Sequence, residues 1–241
     1  MSALAASTEG LGVVVALSAE ARSLGAGGLH PGDCARWHRG WLAVSGIGGH
    51  NAMRAAERLL ACGVGALANW GVAGAVDARL APGDLLIPDR IRYRDDDALG
   101  FVPDADASAW LARRLADGPR VFRGGLWSAP QPVASAAAKR ALGEHSGALA
   151  VDMEAAAVAA VATRAQLPFT AVKAICDPCA RDIPPRITRA LDAGGGVTLA
   201  MASAIVFGGP PSWRVARLLA RDFARARDAL ATAARLLAVR A

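Results

Sequence analysis

The apolar residues of this chain fall into short unbroken runs separated by glycine, proline and charge. Leu11 to Leu17, Trp41 to Ser45, Ala66 to Trp70, Leu85 to Tyr93, Val121 to Ser128, Ala148 to Val151 and Phe169 to Ile175 have strand lengths. Several of these runs are continuous rather than alternating, as in strands covered on both faces. Ser18-Ala19-Glu20 opens a helix, and residues 50–62, 103–117 and 153–165 have helical length, the last of them almost pure alanine and valine. Ile187 to Val206 reads as helical with an interruption at Gly194-Gly195-Gly196. Gly208-Gly209-Pro210-Pro211 reads as a hard break before a final helix from Trp213 to about Val239. The alternation of strand and helix predicts an α/β fold.

Chemistry enters where the strands end. The stretch from Ala148 through Pro168 to Ile175 reads as a βαβ unit with two parallel strands and a right-handed crossover. Glu154 and Asp177 then emerge at one carboxyl edge, where open α/β sheets place ligands, and two acids there invite acid/base work. The plainer alternative has Glu154 favouring a helix N-terminus and Asp177 starting a turn before Pro178. Glu20 also lies just past a strand's carboxyl end. Gly46-Ile47-Gly48-Gly49 could present backbone N–H groups to an anion or hydroxyl, or could be a tight turn and no more. Gly71-Val72-Ala73-Gly74 repeats small residues at a strand end. Ser128-Ala129-Pro130-Gln131-Pro132 is a rigid loop able to wall a flat ligand, though it reads equally as a connector, and Pro178 to Pro185, with Arg181 and Asp182, suits a flexible flap.

Composition narrows the class. With 54% hydrophobic residues in 241, one core and one domain, 1–241, are expected. No apolar run has the length of a membrane span and residues 1 to 10 lack a signal-like pattern, so a cytoplasmic protein is expected. Cys34, Cys62, Cys176 and Cys179 are too scattered for a disulfide framework. Cys176-Asp177-Pro178-Cys179 has redox spacing but neither a second pair nor a neighbouring histidine, so no metal is expected. Of the net charge of +6, residues 212–241 carry seven arginines and two aspartates, a local balance of +5. Without interleaved aromatics this does not point to nucleic acid. Val215, Leu218, Leu219, Phe223, Ala226, Leu230, Ala233, Leu236 and Leu237 recur at helical spacing opposite Arg214, Arg217, Arg221 and Arg225. Residues 212–241 thus form a basic amphipathic C-terminal helix, packed on the core or touching an anionic membrane as a peripheral contact.

In order, Ala16-Leu17-Ser18-Ala19-Glu20, Ser45-Gly46-Ile47-Gly48, Gly71-Val72-Ala73-Gly74, Pro82-Gly83-Asp84, Val151-Asp152-Met153-Glu154-Ala155-Ala156-Ala157 and Ala174-Ile175-Cys176-Asp177 resemble the nucleoside phosphorylase superfamily. Within it the pattern is similar to the methylthioadenosine/S-adenosylhomocysteine nucleosidases. Leu17 to Arg22, Asn69 to Gly74 and the basic final helix look most like the hopanoid-associated branch, thought to release adenine from adenosylhopane. The resemblance implies a three-layer α/β/α fold with a central mixed, mostly parallel sheet, and a homodimer or larger homo-oligomer. It also implies N-glycosidic cleavage of a 5′-substituted adenosine, lipid-linked in that branch, with no cofactor. Asp177 would be the acid at the purine, Glu154 with Met153 would hold the ribose, and Glu20 would activate water. Asp152, Val72, Gly74, Gly48, Ser128, Val133 and Lys173 would line the substrate site. Phosphate is the alternative co-substrate: Glu20 would repel it, whereas Lys173, Arg94 and the Gly48-Gly49 backbone could bind it. Cys176 stands where relatives have serine before the aspartate, which shifts the orientation of Asp177 onto backbone contacts.

Overall fold

A computed structural model describes residues 10–93, 100–184 and 209–238. Its strands are β1 (Leu11–Val15), β2 (Cys34–Trp37), β3 (Gly40–Val44), β4 (Ala66–Ala75), β5 (Leu85–Arg92), β6 (Val121–Ser128), β7 (Ala148–Asp152) and β8 (Phe169–Asp177). Its helices are α1 (Ser18–Ser23), α2 (Gly49–Ala61), α3 (Ala105–Arg114), α4 (Ala136–Ser146), α5 (Ala155–Arg164) and α6 (Gly209–Ala238). The expected helix at Ile187 to Val206, Arg94 and the loop Asp95 to Asp97 lie outside the described residues.

The strands form a mixed, mostly parallel sheet in the order β2-β3-β1-β4-β7-β6-β5-β8, and β8 pairs back onto β4. Strands β4, β7, β6, β5 and β8 therefore close a ring, while β1, β3 and β2 extend from it as an open sheet. Apolar runs were continuous because both faces are covered. Val14, Leu67 and Ala73 pack with Ala52 and Leu59 of α2 and Val158 of α5. Val13, Val15 and Trp70 pack on the opposite side with Leu111 of α3 and Ala226, Leu230 and Ala233 of α6. This is the expected three-layer arrangement.

Two expectations are corrected. First, β7 is not parallel to β8: β4 pairs antiparallel with β7 and parallel with β8, so the two run in opposite senses on either side of it. Val151 and Asp177 nevertheless both sit opposite Gly74. The closed ring, not a parallel crossover, brings the two strand ends together. Second, Pro210 and Pro211 do not break the last helix but occupy its first turn, where a missing N–H has no helical partner to lose. The apolar face of α6 is turned to the sheet, with Ala226, Leu230 and Ala233 buried, so the structure shows the core-packed one of the two readings of this helix. Leu218, 42% exposed, is the exception, and Arg217, Arg221 and Arg225 face solvent. No helix among the described residues is long and apolar enough to cross a membrane.

Candidate active site

The site is built on the second half of β4. Sequence reading ends that strand at Trp70, but it continues through the glycines to Ala75, with a register shift between Ala73 and Gly74. The glycines serve close approach, not a turn. A Cβ on Gly71 would lie 2.6 Å from Oε1 of Glu20, and one on Gly74 would lie 2.9 Å from Oδ1 of Asp177. Two carboxylates thus rest directly on the strand, in the space that a side chain at either glycine would take.

Glu20 is held by the backbone it touches. Its Oε2 accepts from the N–H groups of Ala16 (2.8 Å) and Leu17 (2.9 Å), and its Oε1 accepts from Val72 (2.9 Å). Glu154 precedes α5 without capping it; its Oε1 accepts from the Gly48 N–H at 2.7 Å. The start of α5 is served instead by Asp152, accepting from Ala155 at 2.9 Å, and by the Ser128 hydroxyl, accepting from Ala156 at 2.9 Å. Glu154 thus stands at the helix start, with its carboxylate directed to Gly48 rather than to a cap. Gly48 has φ 98°, a region open to glycine, and its N–H already faces a carboxylate rather than an incoming anion.

Lys173 is the internal counter-charge. It is 1% exposed and pairs with Asp152 Oδ2 at 2.7 Å, opposite Gly71 in the β4–β8 ladder. Beyond its ladder with β4, β7 carries residues 152–154 back toward this same level. One ammonium thus neutralises Asp152 and faces Glu20 and Glu154 as well. The balance is unfavourable to both free acids. Burial pushes Glu154 up to about 7, with Lys173 opposing and Asp152 and Glu20 adding repulsion. Burial likewise raises Glu20, against Lys173 and its three N–H donors. Lys173 is itself raised despite burial, because the carboxylates outweigh desolvation. Its expected role as an anion ligand is corrected: it is already paired, and the surrounding charge is negative.

Of the remaining expected residues, Met153 is half-buried between Asp152 and Glu154, and Val72 contributes its N–H to Glu20. Ser128 donates to Asp152 Oδ1 at 2.5 Å, which makes it a support for Asp152. Val133 packs against the cluster of Val76, Trp127, Ala129 and Val151. The flap reading of the segment after Asp177 is corrected in its described part. Arg181 pairs with buried Asp222 of α6, and Asp182 accepts from the Ala136 N–H at the start of α4 at 2.7 Å.

Asp177, 5% exposed, has a partner that sequence reading missed. Lys139 of α4 is 1% exposed and forms an ion pair with Asp177 Oδ2, while donating to the carbonyls of Arg181 (3.0 Å) and Pro178 (3.4 Å). Helix α4 itself was not anticipated, although its signals are present: Ser135 caps it, an alanine run follows, and Gly147 closes it at φ 67°. Cys176 also donates weakly to Asp177 Oδ1 at 3.4 Å, so side chains, and not the backbone alone, orient this acid. Burial and Asp177 push the Cys176 thiol well up, and Cys179 donates to the Val76 carbonyl. All four cysteines are free, and among the described residues no cluster has the make-up of a metal site.

The sequence model of the phosphorylase superfamily matches residues 36–202, more than half of the chain. The chain belongs to the phosphorylase superfamily. That span includes Glu154 and Asp177 and begins after Glu20. No curated protein sequence matches the chain. Among solved structures it is similar to a variant of the Helicobacter pylori methylthioadenosine nucleosidase with 5′-methylthioadenosine in the active site, at 19% identity over 96% of this chain and 97% of that one, TM-score 0.67. It is also similar to the methylthioadenosine/S-adenosylhomocysteine nucleosidase of Neisseria meningitidis in complex with methylthio-immucillin-A, at 20% identity over 93% and 96%, TM-score 0.66. A third likeness is to the futalosine hydrolase of Helicobacter pylori, at 19% identity over 90% and 97%, TM-score 0.62. These likenesses establish the superfamily's fold for nearly the whole chain.

Proposed function

We propose that this member of the superfamily hydrolyses the N-glycosidic bond of a 5′-substituted adenosine, releasing adenine. The observation that carries this reading is the gathering of three buried carboxylates, Glu20, Glu154 and Asp177, around the glycine half of β4. Cleavage of such a bond passes through a ribosyl cation. It needs a proton for the departing base, negative charge near the sugar and an activated nucleophile. Asp177 serves the base. Glu154 accepts hydrogen bonds from the ribose hydroxyls beside Met153, and Glu20, its carboxyl raised by burial, takes the proton of the attacking water.

Water is favoured over phosphate by charge. Two of the expected anion holders are engaged: Lys173 by Asp152 and the Gly48 N–H by Glu154. A phosphate beside Glu20 would meet repulsion instead. For the 5′ group, the resemblance of the sequence to the hopanoid-associated branch makes adenosylhopane the first substrate to assay, with methylthioadenosine and S-adenosylhomocysteine beside it. The test is chromatographic detection of adenine from each nucleoside, with and without phosphate. Release that is independent of phosphate and lost in Asp177→Asn, by about 10²-fold or more, supports the reading; release that requires phosphate, or an undiminished Asp177→Asn, overturns it.

A further inference from the structure

The acid assigned to the purine is already ion-paired. Lys139 is fully buried and all of its donor capacity is directed at Asp177 and the two carbonyls that follow it. A buried lysine with three partners is not an incidental surface pair, because an ammonium removed from water is stable only where its charge is met. Its place is fixed from both ends. Helix α4 is anchored by Asp182 at Ala136, and the segment after Asp177 is anchored through Arg181 to Asp222 of α6. The groups facing Asp177 are therefore Lys139 from α4 and the Cys176 thiol from β8. Glu20 from α1 acts on that same thiol, and the Lys173, Asp152 and Glu154 group lies further back along β4.

The Lys139 ammonium donates to Oδ2 of Asp177, an oxygen through which a proton could pass to the purine. We propose that Lys139 is a positioning residue for the acid: its ammonium holds the Asp177 carboxylate against Gly74 and resupplies the proton that Asp177 passes to the purine N7. The inference rests on the base-release reading. One Nζ–H proton moves to Asp177 Oδ2 as the Asp177 carboxyl protonates N7. The C1′–N9 bond breaks with its electron pair retained by the base, and water adds to C1′ while its second proton goes to Glu20. Lys139 is left neutral and Glu20 protonated, and return of that proton through solvent restores the resting state. Adenine gains one proton and the ribose one hydroxyl, which balances as hydrolysis.

The test compares Lys139→Met and Lys139→Arg with the parent in pH profiles of kcat/KM and in 13C NMR of the Asp177 carboxyl, assigned by its loss in Asp177→Asn. In the parent the carboxyl signal reports the contact with the Lys139 ammonium. In Lys139→Met that signal moves, because the contact is gone. The alkaline limb moves to lower pH, so that activity at about pH 8.5 falls by roughly 10-fold or more while KM changes by less than about twofold. Lys139→Arg keeps the charge and does not release a proton, and its kcat falls at every pH. A Lys139→Met profile that superimposes on the parent's after scaling, or an Asp177 carboxyl signal that does not move in Lys139→Met, overturns the inference. If Lys139→Met does not fold, a parent-like kcat in Lys139→Arg does the same. Absence of base release from the parent defeats the functional reading, and the response of the Asp177 carboxyl signal to Lys139→Met still decides whether Lys139 holds that acid.

Discussion

A methyl group on Gly71 would lie 2.6 Å from the Glu20 carboxylate, so Gly71→Ala is expected to displace Glu20 from its three N–H donors. A displacement of about 1 Å in a catalytic group lowers turnover by roughly 10²-fold, and adenine release by a folded variant checks it. Glu154 gives a second consequence at this scale. Its carboxyl is held at about 7 in the folded chain against an ordinary value of 4.5. The folded state therefore binds that proton more tightly than the unfolded one. The corresponding stabilisation is complete below about pH 4.5 and is lost as pH rises through about 7. Denaturant midpoints should fall over that window in the parent, and Glu154→Gln should flatten the decline. Glu20 adds to the parent's slope in the same direction, so a residual slope in the variant is expected. Glu20, Glu154 and Asp177 could all be found from sequence, because each follows a strand in a recognisable motif. Lys139 could not, because nothing in an alanine-rich stretch tells which lysine points inward.

Elements decide how those residues meet. Strand β8 brings Lys173 opposite Gly71 and Asp177 opposite Gly74, while the antiparallel β7 returns Asp152 to pair with Lys173 at 2.7 Å. Lys173→Met would leave Asp152 buried beside Glu20 and Glu154 without a counter-charge. Breaking such a pair costs about 3–5 kcal/mol, measurable by chemical denaturation at neutral pH, and a loss near zero would refute the role. Helix α6 supports the other face of the sheet through Ala226, Leu230 and Ala233, each buried. Leu230→Ala should cost about 2–5 kcal/mol through lost burial and the cavity left behind. Element types were largely legible because apolar run length separates strand from helix. Directions were not, since a helix between two strands is compatible with neighbours in the sheet and also, as here, with strands on opposite sides of a third.

The whole molecule combines an open sheet with a closed five-stranded ring, and the acids collect where the two share β4. At this scale the basic end of the chain can be judged. The apolar stripe of α6 faces the core, leaving mainly arginines to meet a surface. Any association with anionic vesicles is expected to be electrostatic and to disappear at about 1 M salt, where screening acts within about 3 Å; sedimentation with vesicles at low and high salt checks this. Binding that survives salt would mean that an apolar face is offered to lipid. By itself the sequence determined the α/β class, the strand runs and the candidate acids at their ends, because burial on two faces writes continuous apolar runs and close approach demands glycine. Only the tertiary structure decided that β7 and β8 oppose each other, that Lys173 is a counter-charge rather than an anion ligand, and that Lys139 grips Asp177. Each depends on which distant segments share one low-dielectric volume, and local pattern does not encode the pairing of charges there.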